Sequence, residues 1–349
     1  MELVLVVGAG ASCELGLPSG AKLKDHIVGT LSNSLEHALG NREGGDVIAD
    51  AFRILSMKEP RLNGQDGPLL NAAECIRDGL PLAISIDNYL DAHRENDDIV
   101  ICGKLAIARC ILRAEASSTL MRPAHEFPRK LDIPNVQESW LYPFFQILTE
   151  NCSVNELPHR LRRVAVVCFN YDRCIEQFMY HAVQTYYKVV GQKAKEALDS
   201  LTIIHPYGST GKLPWEEGGH KCEFGSEPET KTLLSIAGQI NTFTEGTDLA
   251  TSRISEVRNL LGLARRVAFL GFGFHRLNLE LLYSKQSAHG ERDSCSVFAT
   301  TYSMSQSNSR DIVDELSRLA GLQVSQETFR SDLKCRDLLE EYRHKLSFS

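Results

Sequence analysis

No two of the ten cysteines stand in a Cys-x-x-Cys pair, and several, such as Cys110 and Cys168, sit inside apolar runs. The pattern is that of buried free thiols in a reducing, cytoplasmic setting, with no disulfide framework. No apolar run reaches the ~18 residues of a membrane span. The apolar segment at the N-terminus is short and carries Glu2 where a signal peptide carries basic residues, so neither a leader nor an anchor is expected. Positive charge is in deficit as well. With 38 Lys and Arg against 45 Asp and Glu, the formal net charge is -7. That argues against a general nucleic-acid binder, while leaving room for a small basic patch. Internal repeats and low-complexity stretches are absent.

What is present is enough apolar material, 43% of 349 residues, to bury a sizeable core. The most informative stretch is the first twenty residues. An apolar run, Leu3–Val7, reads as a strand buried on both faces, which points to a parallel sheet. It ends in Gly8-Ala9-Gly10-Ala11-Ser12, small residues that let the backbone turn sharply and approach a ligand. A helix is expected from about Ala21. Strand, glycine turn and helix together make a dinucleotide-phosphate site, with free N–H groups and a helix dipole facing the anion. The third glycine comes late, at Gly16 within Gly16-Leu17-Pro18-Ser19, so this is not the usual Rossmann fingerprint.

Further strand-like runs follow at Val164–Phe169, Thr202–Ile204, Arg266–Leu270 and Ser296–Thr300. Helical patterns lie between them, at Arg173–Gln184, Ser255–Ala264, Asn278–Tyr283, Ser309–Leu319 and Arg336–Leu346. This alternation predicts an α/β fold: a Rossmann-like parallel sheet flanked by helices. Residues 45–160 read as an inserted helical subdomain within a single domain spanning 1–349. Residues 208–230 read as a surface loop or flap. Residues 325–349 read as a last strand and helix that either finish the sheet or form an assembly surface.

Three more segments carry polar groups at strand ends, where open α/β sheets bind ligands. Val164–Arg173 delivers Asn170 and Asp172, which point the same way on an extended chain. Asp172 equally suits a helix N-cap. Leu201–Ser209 delivers His205, with Tyr207 directly before Gly208. Arg266–Leu279 carries Gly271, Phe272, Gly273 and Asn278; a tight strand-to-helix turn is the plain alternative there.

In order and spacing, Gly-Ala-Gly-Ala-Ser with Gly-Leu-Pro, Asn-Tyr-Asp, the His205–Gly208 segment and Gly-Phe-Gly-Phe resemble the sirtuin-like proteins. The resemblance covers about Met1–Lys24 and Val164–Thr300. It implies that Gly8, Ala9, Gly10, Ala11 and Ser12 hold the pyrophosphate of NAD. Leu17 and Pro18 then begin a loop over the nicotinamide side. Asn170 binds the nicotinamide ribose or positions a water, and Asp172 lies near the nicotinamide amide. His205 acts as the catalytic imidazole, for which a near-neutral pKa suits it; Tyr207, before Gly208, stands where the family histidine stands. Gly271, Phe272, Gly273 and Asn278 pack against the adenosine half. The chain departs from the family at Gly20 and Ala21 (Phe-Arg in deacetylases), at Cys168 and Phe169 (two threonines in defence-associated relatives), at Gly273 (Ser) and at Arg276 (often Asp). It has no candidate for the four-cysteine zinc module of the deacetylases.

The resemblance implies an NAD glycohydrolase that cleaves NAD to nicotinamide and ADP-ribose, with Asn170 and His205 catalytic and no metal. Relatives of this kind are prokaryotic antiviral effectors. Uncontrolled NAD hydrolysis kills the host, so a homo-oligomer gated by a partner, such as a HerA-type ATPase, is expected on family analogy. Two other readings stand beside it. One is an NAD or ADP-ribose sensor, favoured by Tyr207; the other is an ADP-ribosyltransferase or a deacylase, and the missing cysteine pairs count against the deacylase. Ser85-Ile-Asp-Asn-Tyr-Leu90 and Lys104–Glu115 resemble the family's helical insertion and are read as a site lid or as core packing. Gly208-Ser-Thr-Gly-Lys-Leu213 has the wrong spacing for a P-loop. His220 and Cys222 alone make no metal site.

Overall fold

The computed structural model describes residues 1–40, 45–121, 131–243, 245, 253–283, 295–321 and 324–348. Its centre is a six-stranded, all-parallel sheet in the order β3-β2-β1-β4-β5-β6. The strands are β1 (Leu3–Val7), β2 (Val164–Cys168), β3 (Thr202–Ile204), β4 (Arg266–Leu270), β5 (Ser296–Thr300) and β6 (Phe329–Arg330). Leu3 pairs with Val164 on one side and with Arg266 on the other, so the three central strands run in step. The apolar runs divide by residue parity, as a pleated strand requires. Val4, Val6, Val167 and Phe269 enter one core, while Leu5, Val7, Val166 and Leu270 enter the core on the opposite face. Both faces are therefore covered by helices, which explains why these strands are apolar throughout.

Between β1 and β2 the chain runs through α1 (Ala9–Ser12), α2 (Gly20–Leu39), α3 (Val47–Lys58), α4 (Gly67–Gly79), α5 (Ile86–Ala92), α6 (Asp97–Ala116), α7 (Ile133–Val136), α8 (Leu141–Thr149) and α9 (Leu157–Leu161). α6 is the pillar of this helical part. Asn96 caps it by accepting the N–H groups of Asp98 and Ile99, and Asp97 and Asp98 suit its positive end. It is buried nearly all round and packs against α2 and α4. Residues 122–130, inside the expected insertion, lie outside the described residues. After β2 come α10 (Cys174–Tyr187) and α11 (Gly191–Leu198); after β3, α12 (Thr230–Ala237) and α13 (Ile254–Gly262); after β4, α14 (Arg276–Leu282). β6 pairs with β5, so the expected last strand completes the sheet.

Local boundaries differ from expectation at the first turn. A helical turn begins at once, at Ala9, and the long helix starts at Gly20, where the Ser19 hydroxyl accepts the N–H of Lys22 at 3.4 Å. Among the described residues no helix is long and apolar enough to cross a membrane.

The strand order decides where a ligand can sit. From β1 the chain moves outward to β2 and β3, then returns to β4 on the other side of β1. The connections diverge at the C-terminal ends of β1 and β4 and leave a crevice there, the position at which such sheets bind ligands.

Candidate active site

The floor of this crevice is two glycine turns in backbone contact. Gly8 N–H donates to Leu270 O (3.0 Å), Gly10 N–H to Gly271 O (2.9 Å) and Gly271 N–H to the Thr300 hydroxyl (2.8 Å). Gly271 has a φ of +56°, and a Cβ there would lie 2.0 Å from Ala11 N. A Cβ on Gly8 or Gly10 would come within 2.7 or 2.9 Å of Gly271 backbone. Only glycine permits this crossing. The expectation that the turn's N–H groups face an anion does not hold for three of its five residues. Those of Gly8 and Gly10 are spent on the second turn, and that of Ala11 on Gly8 O (3.0 Å).

Above the floor lies a cleft of ≈ 400 Å³. Asn170, Phe169, Tyr207 and Asn278 line one side of it, Ser85, Asp87 and Asn88 the insertion side, and His275 and Arg276 the rim. A smaller chamber of ≈ 80 Å³ adjoins it and shares Ala9, Gly20, Ser85, Asp87, Phe169 and Asn170 with it. Ser12, Leu17, Pro18, Tyr171 and Asp172 also line this chamber.

A directional chain of hydrogen bonds sets the site's polar groups. Asn170 Nδ2 donates to Gly8 O (3.0 Å) and to Ser12 Oγ (2.8 Å), and Ser12 Oγ donates to Asp172 Oδ2 (2.8 Å). Because Gly8 O can only accept, the amide orientation is fixed, and Oδ1 is the atom Asn170 has left to offer a ligand. All three residues are buried. Asp172 Oδ1 accepts the N–H of Cys174 (3.1 Å), so the same carboxylate also serves the start of α10. The same side chain also lines the small chamber. Burial pushes its pKa up.

Tyr207 stands in the cleft and His205 does not. The Tyr207 hydroxyl donates to Asn278 Oδ1 (2.6 Å), and its ring meets Phe169 edge-on, which in turn meets Phe272. Gly208, at a φ of +76°, lets the chain pass Gln239 O, which a Cβ would approach to 1.9 Å. His205 faces a separate cavity of ≈ 310 Å³, lined also by Glu176, Lys195 and Trp215. Its Nδ1 lies 2.8 Å from the backbone O of Asn170 and its Nε2 2.9 Å from Glu176 Oε1. Both partners are acceptors, so both ring nitrogens donate and the ring is an imidazolium. Burial alone would lower its pKa, but Cys168 and the Glu176 carboxylate outweigh burial and hold it well above 6.5. A doubly donating imidazolium outside the cleft cannot take a proton from a water inside it. The expected catalytic position of His205 is corrected accordingly.

The structure thus brings Gly8, Ala9, Gly10, Ser12, Leu17, Pro18, Asn170, Asp172, Tyr207, Gly271, Phe272, Gly273 and Asn278 to one site. Ala11 and Gly208 act through the backbone beneath and beside it. It adds Asp87, His275 and Arg276, which the strand-end motifs do not single out. His275 and Arg276 stand inside the fourth motif; Asp87 lies in the Ser85–Leu90 stretch that reads as a lid or as core packing, and nothing local marks its pairing with Tyr171, 84 residues later. Among the described residues, no group of three or more His, Cys, Asp or Glu could hold a metal ion.

No family model matches the chain, and no curated protein matches it.

Proposed function

We propose that this chain is an NAD glycohydrolase, yielding nicotinamide and ADP-ribose. The observation that carries the reading is the two-chambered cleft at the sheet's reversal point, with the Asn170 amide fixed at the junction of the chambers. The small chamber suits a flat amide-bearing ring, with Asp172 and Ser12 on its wall. The main cleft suits the ribose, pyrophosphate and adenosine. With the N–H groups of Gly8, Gly10 and Ala11 spent, the Arg276 guanidinium at the rim is the cation that would face the phosphates. Asn170 Oδ1 accepts from a ribose hydroxyl or from the attacking water. The C1′–N bond breaks with its electron pair passing to the nicotinamide nitrogen, which leaves as a neutral base; water adds to C1′, and its proton passes to solvent. Fixed dipoles around an oxocarbenium-like centre lower the barrier. A role as a cytoplasmic antiviral effector, as a homo-oligomer or with a HerA-type ATPase rests on the family resemblance.

A second reading is favoured by one observation, the position of His205 outside the cleft, against Asn170 O and Glu176: a sensor that binds NAD without turnover. Nicotinamide and ADP-ribose released by the purified chain, measured by chromatography for wild type and Asn170→Ala, separate the two. Turnover in wild type, lost by at least a hundredfold in the variant, supports the hydrolase. NAD binding with no release in wild type, persisting when candidate activating partners are added, replaces it with the sensor.

A further inference from the structure

We infer that Asp87, on the helical insertion, is the carboxylate that reads the vicinal hydroxyls of the ribose seated between the two chambers. The assignment rests on the glycohydrolase reading only for which ribose lies there.

Asp87 lines both the main cleft and the small chamber, as Asn170 does from the opposite element. The two side chains therefore flank the junction through which a ligand occupying both chambers must pass. Asp87 stands in the first turn of α5, with its Oδ1 accepting the Tyr171 hydroxyl, and no other described side chain bonds the carboxylate. Burial pushes its pKa up, outweighing the Tyr171 hydrogen bond. The other acid here, Asp172, has both oxygens occupied by Ser12 Oγ and Cys174 N–H. Asn170 has only its amide oxygen free. A vicinal diol offers two O–H donors, and a carboxylate with an unfilled oxygen is the group that accepts them most strongly. Phosphate is repelled by the same charge, so the carboxylate also sets register: it admits the sugar and turns away the pyrophosphate.

Tyr171 ties this carboxylate to the Asn170 strand end, which gives the insertion a part in recognition as well as in covering the cleft. Asp87→Asn keeps an acceptor for the Tyr171 hydroxyl and removes the charge, so the fold is retained. The experiment is calorimetric titration of the full chain with ADP-ribose and with ADP, which lacks the terminal ribose. Wild type should prefer ADP-ribose by at least tenfold. Asp87→Asn should bring that ratio to within threefold while leaving ADP affinity within twofold. Asp87→Glu should restore part of the preference. An unchanged ratio in Asp87→Asn, or a wild type that does not distinguish the two ligands, overturns the assignment. The outcome is independent of turnover. An Asp87-dependent preference keeps the ribose site whether or not the isolated chain hydrolyses NAD; hydrolysis with an unchanged ratio keeps the glycohydrolase and removes the ribose site.

Discussion

At the scale of single residues, the site is a study in which atoms remain unspent. Asn170 has one amide oxygen, Asp87 has carboxylate capacity beyond Tyr171, and His205 has nothing to offer as a base. The state of His205 has a measurable consequence. The native protein holds a proton on this imidazole that the unfolded chain releases near pH 6.5. The stability it contributes is therefore complete below about pH 6.5 and is lost as pH rises through the higher folded pKa. Glu176 works in the opposite sense: burial opposes its charge, but His205 holds its pKa below 4.5, so its share is lost in acid. A series of thermal melts from pH 6 to pH 10 should show a decline in wild type that is shallower in His205→Gln. Equal slopes would mean that the ring is neutral in the fold. Arg276 gives a second test. It is exposed and pairs with Glu280 at 2.9 Å, so its removal leaves no buried orphan. Arg276→Ala should weaken NAD binding about tenfold, or about 1.4 kcal/mol, with melting temperature unchanged. Unchanged affinity would place the phosphates elsewhere.

At the scale of elements, one buried ion pair joins the helical insertion to the strand end that carries Asn170. Arg173, directly after Asp172, donates through Nη2 to Glu115 Oε2 (2.6 Å) at the end of α6, and both side chains are fully buried. Glu115 also accepts the backbone N–H groups of Arg173 (3.0 Å) and Gly225 (3.1 Å), while Arg173 donates to the carbonyls of Cys222 (2.6 Å) and Glu223 (3.2 Å). Three segments meet at this pair, including the 208–230 loop read from its composition as a flap. Arg173→Met leaves a buried carboxylate without its counter-charge and should cost about 3–5 kcal/mol in urea unfolding; a loss under about 1 kcal/mol would mean that water reaches the pair. None of this was legible in sequence, since Glu115 and Arg173 lie far apart and each reads locally as an ordinary helix residue. The strands were legible, because doubly buried parallel strands announce themselves as unbroken apolar runs, and Leu3–Val7 and Arg266–Leu270 have the expected ends. The glycine turns were legible as close approaches, though not for the reason expected. The N–H groups of Gly8, Gly10 and Ala11 are taken by neighbouring carbonyls, and a sequence gives no sign of which carbonyl a turn will meet. His205 went astray because a strand end fixes where a side chain starts, while the Pro206 step and the facing Glu176 decide which way it turns.

At the scale of the whole molecule, the two chambers make binding separable. Under the proposed reading ADP-ribose fills the main cleft and nicotinamide the small chamber, so each should raise the melting temperature alone and both together should add. At a hundred times its dissociation constant, a ligand contributes about 2.7 kcal/mol. Mutual exclusion of the two ligands would instead mark a single overlapping pocket. The crossing of Gly8, Gly10 and Gly271 carries a further consequence for how this molecule can change over generations. A floor made of peptide units, where a Cβ on Gly271 would lie 2.0 Å from Ala11 N, accepts almost no mutation. Inherited drift in ligand preference must therefore enter through the walls: the insertion that carries Ser85 and Asp87, and the rim that carries His275 and Arg276.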